Sequence, residues 1–188
     1  MFHRTLKIQL ALLSLCGVLL AAEENAVWLD VPFVKQEKNG CGAASIAMLM
    51  EYWQRQPGQS LSSVPTAGKI FSDLYSKEAR GIYAAEITRY FQQHGFRAFA
   101  FAGESNDLEQ HLKKGRPLIV ALEPKRGAQL HYVVVAGLNS GDNTVLLNDP
   151  AERKLLKRAR TQFEKEWKAA GNWTLLAVPQ SGERSSAR

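Results

Sequence analysis

Apolar residues between 41 and 53 fall on nearly every side of a helical wheel: Ala43, Ala44, Ile46, Ala47, Met48, Leu49 and Met50 leave almost no polar face. A helix of that kind has to be surrounded by protein. The pattern therefore predicts a buried central helix over 41–53, ended before Pro57 and Gly58. Ahead of it, residues 31–34 read as a short extended strand made irregular by Pro32, and Asn39-Gly40 as a turn. Helices are predicted near 67–76 and 82–94. The second is amphipathic through Ile82, Ala85, Ile87, Tyr90 and Phe91, and is capped by Gly95. A strand follows over 96–102, then a short helix begun by Ser105 or Asn106 and stopped by Gly115.

The second half is richer in strands. Residues 117–122, 131–138 and 144–148 are apolar, largely β-branched runs, and the loop 139–143 joins the last two as a hairpin. Thr161 and Glu164 have the spacing of a capping box for a helix through Ala170, and 173–178 closes as a strand. The fold class read from this order is α+β: a helical N-terminal half whose buried central helix packs on a C-terminal antiparallel sheet. The loops 54–66 and 123–130 are expected to border its cleft.

The N-terminus has a different pattern. Arg4 and Lys7 precede an almost wholly apolar stretch from Ile8 to Ala22, which small residues end just before Glu23 and Glu24. That is the layout of a secretory signal peptide, too short to span a bilayer comfortably. The expected organisation is a signal at 1–22, one domain at 23–180 and a frayed tail at 181–188. The expected location is periplasmic or secreted, with no integral membrane domain after cleavage; anchoring by an uncleaved N-terminus or by a lipid on Cys16 is the lesser alternative, since Leu15 stands where a small residue is expected. The formal charge of +6 falls to +4 once Arg4 and Lys7 leave. Lys154, Lys157, Arg158 and Arg160 are read as a solvated face; no aromatic interleaving supports a nucleic-acid partner.

Cysteine usage narrows the chemistry. With Cys16 in the signal, the mature chain keeps one thiol, Cys41, which can form no internal disulfide. Cys41 opens the buried helix, where free N–H groups and the positive end of the helix dipole stabilise a thiolate, the attacking species in acyl transfer. Gly40 and Gly42 flank it with little bulk, leaving room for a substrate backbone. A base must accompany the thiolate. His94 ends an amphipathic helix and reads as its cap, and His111 reads as a surface residue. His131 stands at the mouth of an apolar strand. Asp149, at the end of the neighbouring strand, can orient it; Asn148 is the alternative, and alternation sends the two to opposite faces. Gln36, five residues before Cys41, can join the Cys41 N–H as an oxyanion donor. The histidines are too few and too scattered for a zinc site, and no cofactor is implied.

The stretch from Val31 to Gln36, then Cys41-Gly42-Ala43-Ala44-Ser45, His131-Tyr132-Val133-Val134, Asp149-Pro150, Phe163 with Trp167, and Gly171-Asn172-Trp173 together resemble peptidase family C39, a papain-like group. The resemblance runs over about residues 30–178. It implies a papain-like fold and a thiol-dependent peptidase with Cys41 as nucleophile, His131 as general base, Asp149 as orienting acid and Gln36 as oxyanion donor. It also implies a peptide or protein substrate, cut during leader or precursor processing beside a secretion system or exporter. The chain resembles stand-alone exported members more than transporter domains, because it carries no Gly-rich nucleotide-binding loop. Two other readings of the same residues are a cysteine amidase or acyltransferase on this scaffold, and a catalytically silent module that grips a peptide.

Overall fold

The computed structural model describes residues 26–58 and 63–180. The expected signal at 1–22 and tail at 181–188 lie outside the described residues, as do 59–62 within the loop 54–66. In chain order the elements are β1 (Ala26–Trp28), α1 (Cys41–Gln54), α2 (Ala67–Leu74), α3 (Ala84–Gln93), β2 (Phe96–Ala102), α4 (Ser105–Lys113), β3 (Leu118–Leu122), β4 (His131–Asn139), β5 (Thr144–Asn148), β6 (Leu156–Ala159), α5 (Arg160–Ala169) and β7 (Trp173–Pro179).

The strands make one 7-stranded antiparallel sheet in the order β2-β7-β3-β4-β5-β6, with β1 on β4. The fold is α+β. β4 is the sheet's longest strand, and its alternating side chains face two cores. Tyr132, Val134 and Ala136 join α1, α2 and α3 on one face, while Val133, Val135 and Leu138 meet Leu108 and Leu112 of α4 and Phe163 and Trp167 of α5 on the other. Helices on both faces explain why β3 and most of β4 read as unbroken apolar runs, although antiparallel strands usually alternate. The pattern of α4 and α5 alone did not reveal this second helical layer.

α1 is fastened to β4, to β7 and to the turn between α4 and β3. Ser45 Oγ donates to Tyr132 O at 3.2 Å, Tyr52 OH to Gly115 O at 2.8 Å, and Trp53 Nε1 to Ala177 O at 2.9 Å. These bonds tie three levels of a helix whose first ten residues are buried, so its N-terminus has one available position relative to β4.

Four local expectations need correction. The first strand is β1, upstream of 31–34. That segment has no regular structure; Pro32 offers no N–H to a ladder, and its backbone is held by side chains instead. α4 begins one residue earlier than a Ser105 cap requires: Asp107 accepts from the Glu104 N–H at 2.8 Å, and Ser105 Oγ reaches Glu164. α5 starts at Arg160 straight out of β6, so Thr161 lies inside the helix and Glu164 binds Arg160 and Ser105 rather than a helix end. Finally, β6 was not foreseen.

β1 approaches β4 where β4 carries a bulge between Val135 and Gly137. A Cβ at Gly137 would stand 2.6 Å from Val27 O and 2.8 Å from Trp28 Cβ. Gly137→Ala is therefore expected to destabilise the protein by about 1–3 kcal/mol, the usual range for overpacking, as read by urea denaturation. A variant as stable as wild type would show that β1 can move away freely.

Candidate active site

Cys41 is the first residue of α1 and is 7% exposed. No side chain caps this helix among the described residues, and its first turn holds no acid. The first ladder bond runs from the Ala44 N–H to Gly40 O, which leaves the N–H groups of Cys41, Gly42 and Ala43 outside the ladder. They form a positive pole around the sulfur. The turn before it closes through the Gly40 N–H on Glu37 O at 2.9 Å, with Asn39 in the left-handed region at φ 61°. The flanking glycines do not make room for a substrate. A Cβ on Gly42 would stand 3.3 Å from Ile82, and one on Gly40 would stand 3.1 Å from Glu37 O. Both serve internal packing.

His131, the first residue of β4, is tied to this end of α1 through its neighbour Tyr132, whose carbonyl accepts from Ser45, one helical turn beyond Cys41. Its Nε2 lies 2.7 Å from Asp149 Oδ1. Cys41 is the second group whose proximity raises the ring. With Nε2 taken by Asp149, Nδ1 is the nitrogen left for the sulfur. Burial alone would push the imidazole down from its ordinary 6.5. The Asp149 carboxylate and the Cys41 sulfur more than offset this and push it up to about 9. Burial likewise opposes ionisation of Asp149, yet its hydrogen bond and charge pairing with His131 hold the carboxyl below the usual range, helped by the Ala151 N–H and by Arg158.

Asp149 rather than Asn148 faces His131. Asn148 is fully buried on the opposite face, where Nδ2 donates to Val31 O at 3.0 Å and Pro32 O at 3.2 Å, and Oδ1 accepts from the Leu155 N–H. The next link in the same clamp is the Gln36 N–H, which donates to Pro150 O at 2.9 Å. The turn that carries Asp149 thus also fixes the backbone of Gln36. Gln36 lines a small cavity with Gly40, Ala43 and Phe71 that is separate from the cavity lined by Cys41. Its amide has no hydrogen-bond partner among the described residues, and Oε1 is buried.

A cavity of about 400 Å³ opens at Cys41. Its walls are residues 78–84 and 127–130, with Tyr132 beside the sulfur. Tyr83 and Leu130, 50% and 39% exposed, place apolar surface in it. The two walls are joined by Gln129 Nε2, which donates to Arg80 O at 2.5 Å, and the first is closed by a bridge between Ser76 and Gly81. Loop 123–130 therefore borders the cleft as expected, whereas its partner is 78–84 and the described part of 54–66 does not line it.

The other candidates separate from this site. His94 caps α3: its Nδ1 meets Tyr90 O at 2.7 Å and its ring stacks on Tyr90. His111 is half-buried rather than exposed, tilted against Phe101, and burial pushes its imidazole down. The basic cluster divides. Lys154, Lys157 and Arg160 pair with Asp30, Asp142 and Glu164, while Arg158 turns inward to Asp149, Glu152 and Glu166. Sequence reading missed Arg158 because a strand of Leu-Lys-Arg-Ala carries no apolar alternation. Among the described residues no group of three or more His, Cys, Asp or Glu could hold a metal ion, and no helix is long and apolar enough to cross a membrane.

Among curated proteins no sequence matches the chain. Several solved structures share its fold. A protein described as a C39-like peptidase from Bacillus anthracis superposes with a TM-score of 0.64 at 18% identity, covering 81% of this chain and 97% of that one. A double glycine motif protease from an AMS/PCAT transporter, in complex with its leader peptide, gives 0.61 at 22% identity, covering 81% and 94%. The peptidase domain of Streptococcus ComA, a bi-functional ABC transporter of a quorum-sensing pathway, gives 0.60 at 20% identity, covering 80% and 98%. At these identities the likeness speaks for the fold alone. The family profile described as Peptidase_C39 like family matches residues 28–175. That span holds nearly the whole described domain, from the strand before Gln36 to the middle of β7, and the chain belongs to the Peptidase_C39 like family.

Proposed function

We propose that the protein is a cysteine peptidase working through Cys41, His131 and Asp149, with Gln36 as an oxyanion donor. The observation that carries this reading is the Asp149 Oδ1–His131 Nε2 contact at 2.7 Å, in a chain whose Cys41 raises the same ring from an uncapped, buried helix N-terminus inside the family match. The Cys41 thiolate attacks the scissile carbonyl carbon, and the oxyanion is held by the Cys41 N–H and the Gln36 amide. The His131 imidazolium passes a proton to the leaving amine, the C–N bond breaks and a thioester remains. His131 then takes a proton from water, whose oxygen attacks the thioester and frees the sulfur. Asp149 holds the ring throughout. Tyr83 and Leu130 would seat an apolar side chain of the substrate in the cavity beside Cys41.

The proposal extends to setting. Arg4, Lys7 and the apolar stretch before Glu23 support export. The substrate is then an exported peptide or precursor protein. Cleavage of a leader beside a secretion system is supported by the leader-bound double glycine motif protease of similar fold.

Cells making wild type are expected to show new N-termini among exported proteins by mass spectrometry, absent in a Cys41→Ser strain. Identical N-termini in the two would count against peptidase activity. On an isolated substrate, His131→Ala is expected to lower kcat by about 10²–10⁴-fold and Gln36→Ala by about 10²–10³-fold, whereas Tyr83→Ala and Leu130→Ala raise KM more than they lower kcat.

The pH dependence has a definite sign. His131 is protonated up to about 9, so kcat/KM falls as pH rises through that value and the acid for the leaving amine is lost. Asp149→Asn removes the larger of the two influences that raise His131, so this limb moves to lower pH. The same raised imidazole contributes stability that is fully present below about 6.5 and lost as pH rises through about 9. Thermal melts should show that loss in wild type and much less of it in Asp149→Asn.

A further inference from the structure

The buried charges do not stop at Asp149. Arg158, on β6, turns its guanidinium toward the end of β5. Its Nη1 donates to Glu166 Oε2 at 3.0 Å, and its Nη2 lies 3.9 Å from Asp149 Oδ2 and 3.6 Å from Glu152 Oε1. Glu166, on α5, has a side chain only 6% exposed and also accepts from Gln162 Nε2. On Asp149, Oδ1 takes both His131 Nε2 at 2.7 Å and the Ala151 N–H at 3.0 Å, which leaves Oδ2 for the guanidinium.

We propose that Arg158, itself held by Glu166, is a positioning residue for the reaction: its guanidinium faces Asp149 Oδ2 as an ion pair and so keeps the carboxylate turned with Oδ1 on His131 Nε2. The inference rests on the Cys41–His131–Asp149 reading above. The two donors to Asp149 both lie on Oδ1, and the guanidinium, 3.9 Å from Oδ2, places a cation on the other oxygen and favours that orientation of the carboxylate. Arg suits the task because its guanidinium stays charged and its donors lie in one rigid plane, and Glu166 of α5 holds one side of that plane at 3.0 Å. Ion pairing for stability alone is a weak account of such a cluster, since a buried pair roughly cancels its own desolvation. The charged groups gathered there are His131 from β4, Asp149 and Glu152 from the turn after β5, Arg158 from β6 and Glu166 from α5.

Arg158→Met alone would strand Glu166 and could unfold the protein, so the test is the double variant Arg158→Met/Glu166→Gln. It removes one charge of each sign. Net charge near His131 is unchanged, and a shift in the ring's titration reports the loss of the Asp149 hydrogen bond. The ring is followed by NMR and folding is checked by urea denaturation. In the folded double variant the His131 midpoint is expected to fall from about 9 toward 6.5. With a cleavable peptide, kcat is expected to drop about tenfold or more, the scale of a small misplacement, with KM little changed. Lys157→Ala, on the same strand but paired with Asp142 at 3.1 Å, should leave both readouts as in wild type. If the double variant is too unstable to study, Arg158→Lys, which keeps the charge and loses the planar guanidinium, should shift the ring in the same direction by less. A folded variant whose His131 titrates like wild type and whose kcat is unchanged overturns the proposal. The ring titration needs no substrate, so it separates failure of this inference from failure of the peptidase reading: a wild type that cuts no peptide sinks the latter and leaves the role of Arg158 to be decided by NMR.

Discussion

The site depends on how the N-terminus of one buried helix is seated against the first residues of one strand. Cys41 belongs to the first half of the chain and His131 to the second, and nothing local brings them together. What does so is the burial of α1 on every side, together with the bond from Ser45 Oγ to Tyr132 O. Ser45 lies one helical turn beyond Cys41, and Tyr132 follows His131. That hydrogen bond therefore sets the distance between nucleophile and base almost as directly as a contact between them would. Apolar packing supplies the energy, and the polar contact selects the register.

A second constraint comes from the turn at Asn148, Asp149 and Pro150, which serves both sides of the site. Its middle residue faces His131. Its first residue binds the backbone of Val31 and Pro32, and the carbonyl of its last accepts the Gln36 N–H. A lead-in segment with no regular structure is thus held as firmly as a strand would hold it. The candidate oxyanion donor is referenced to the same turn as the candidate orienting acid. This arrangement also accounts for an asparagine at 0% exposure: all its polar atoms are used, so its burial carries no unmatched polar group.

How far the sequence was legible follows the strength of each pattern. Runs such as Leu118–Leu122 and the all-round apolar α1 could be read because burial on both faces leaves no other assignment for them. Cys41, His131 and Asp149 could be singled out by residue type at or next to element ends, which is local information, whereas Gln36, in an irregular segment, stood out only through the family resemblance. β1, with three residues, and β6, reading Leu-Lys-Arg-Ala, lacked a pattern because their places are set by neighbours. Arg158 was misjudged for the same reason: a charge beside other charges reads as surface until the fold shows three carboxylates around it. Gly42 was misassigned because the residue that crowds it, Ile82, lies forty positions away.

The central claim is that His131 makes the Cys41 sulfur reactive. Its most direct measurement is the rate of Cys41 alkylation by iodoacetamide near pH 6, compared between wild type and His131→Ala, because it needs no knowledge of the substrate. An imidazolium beside the sulfur predicts markedly faster alkylation in wild type, by about tenfold or more, the least expected from a charge partner desolvated at a helix terminus. Equal rates in two folded proteins would mean that the ring and the sulfur do not act as a pair, and the catalytic account would fail while the fold assignment stood.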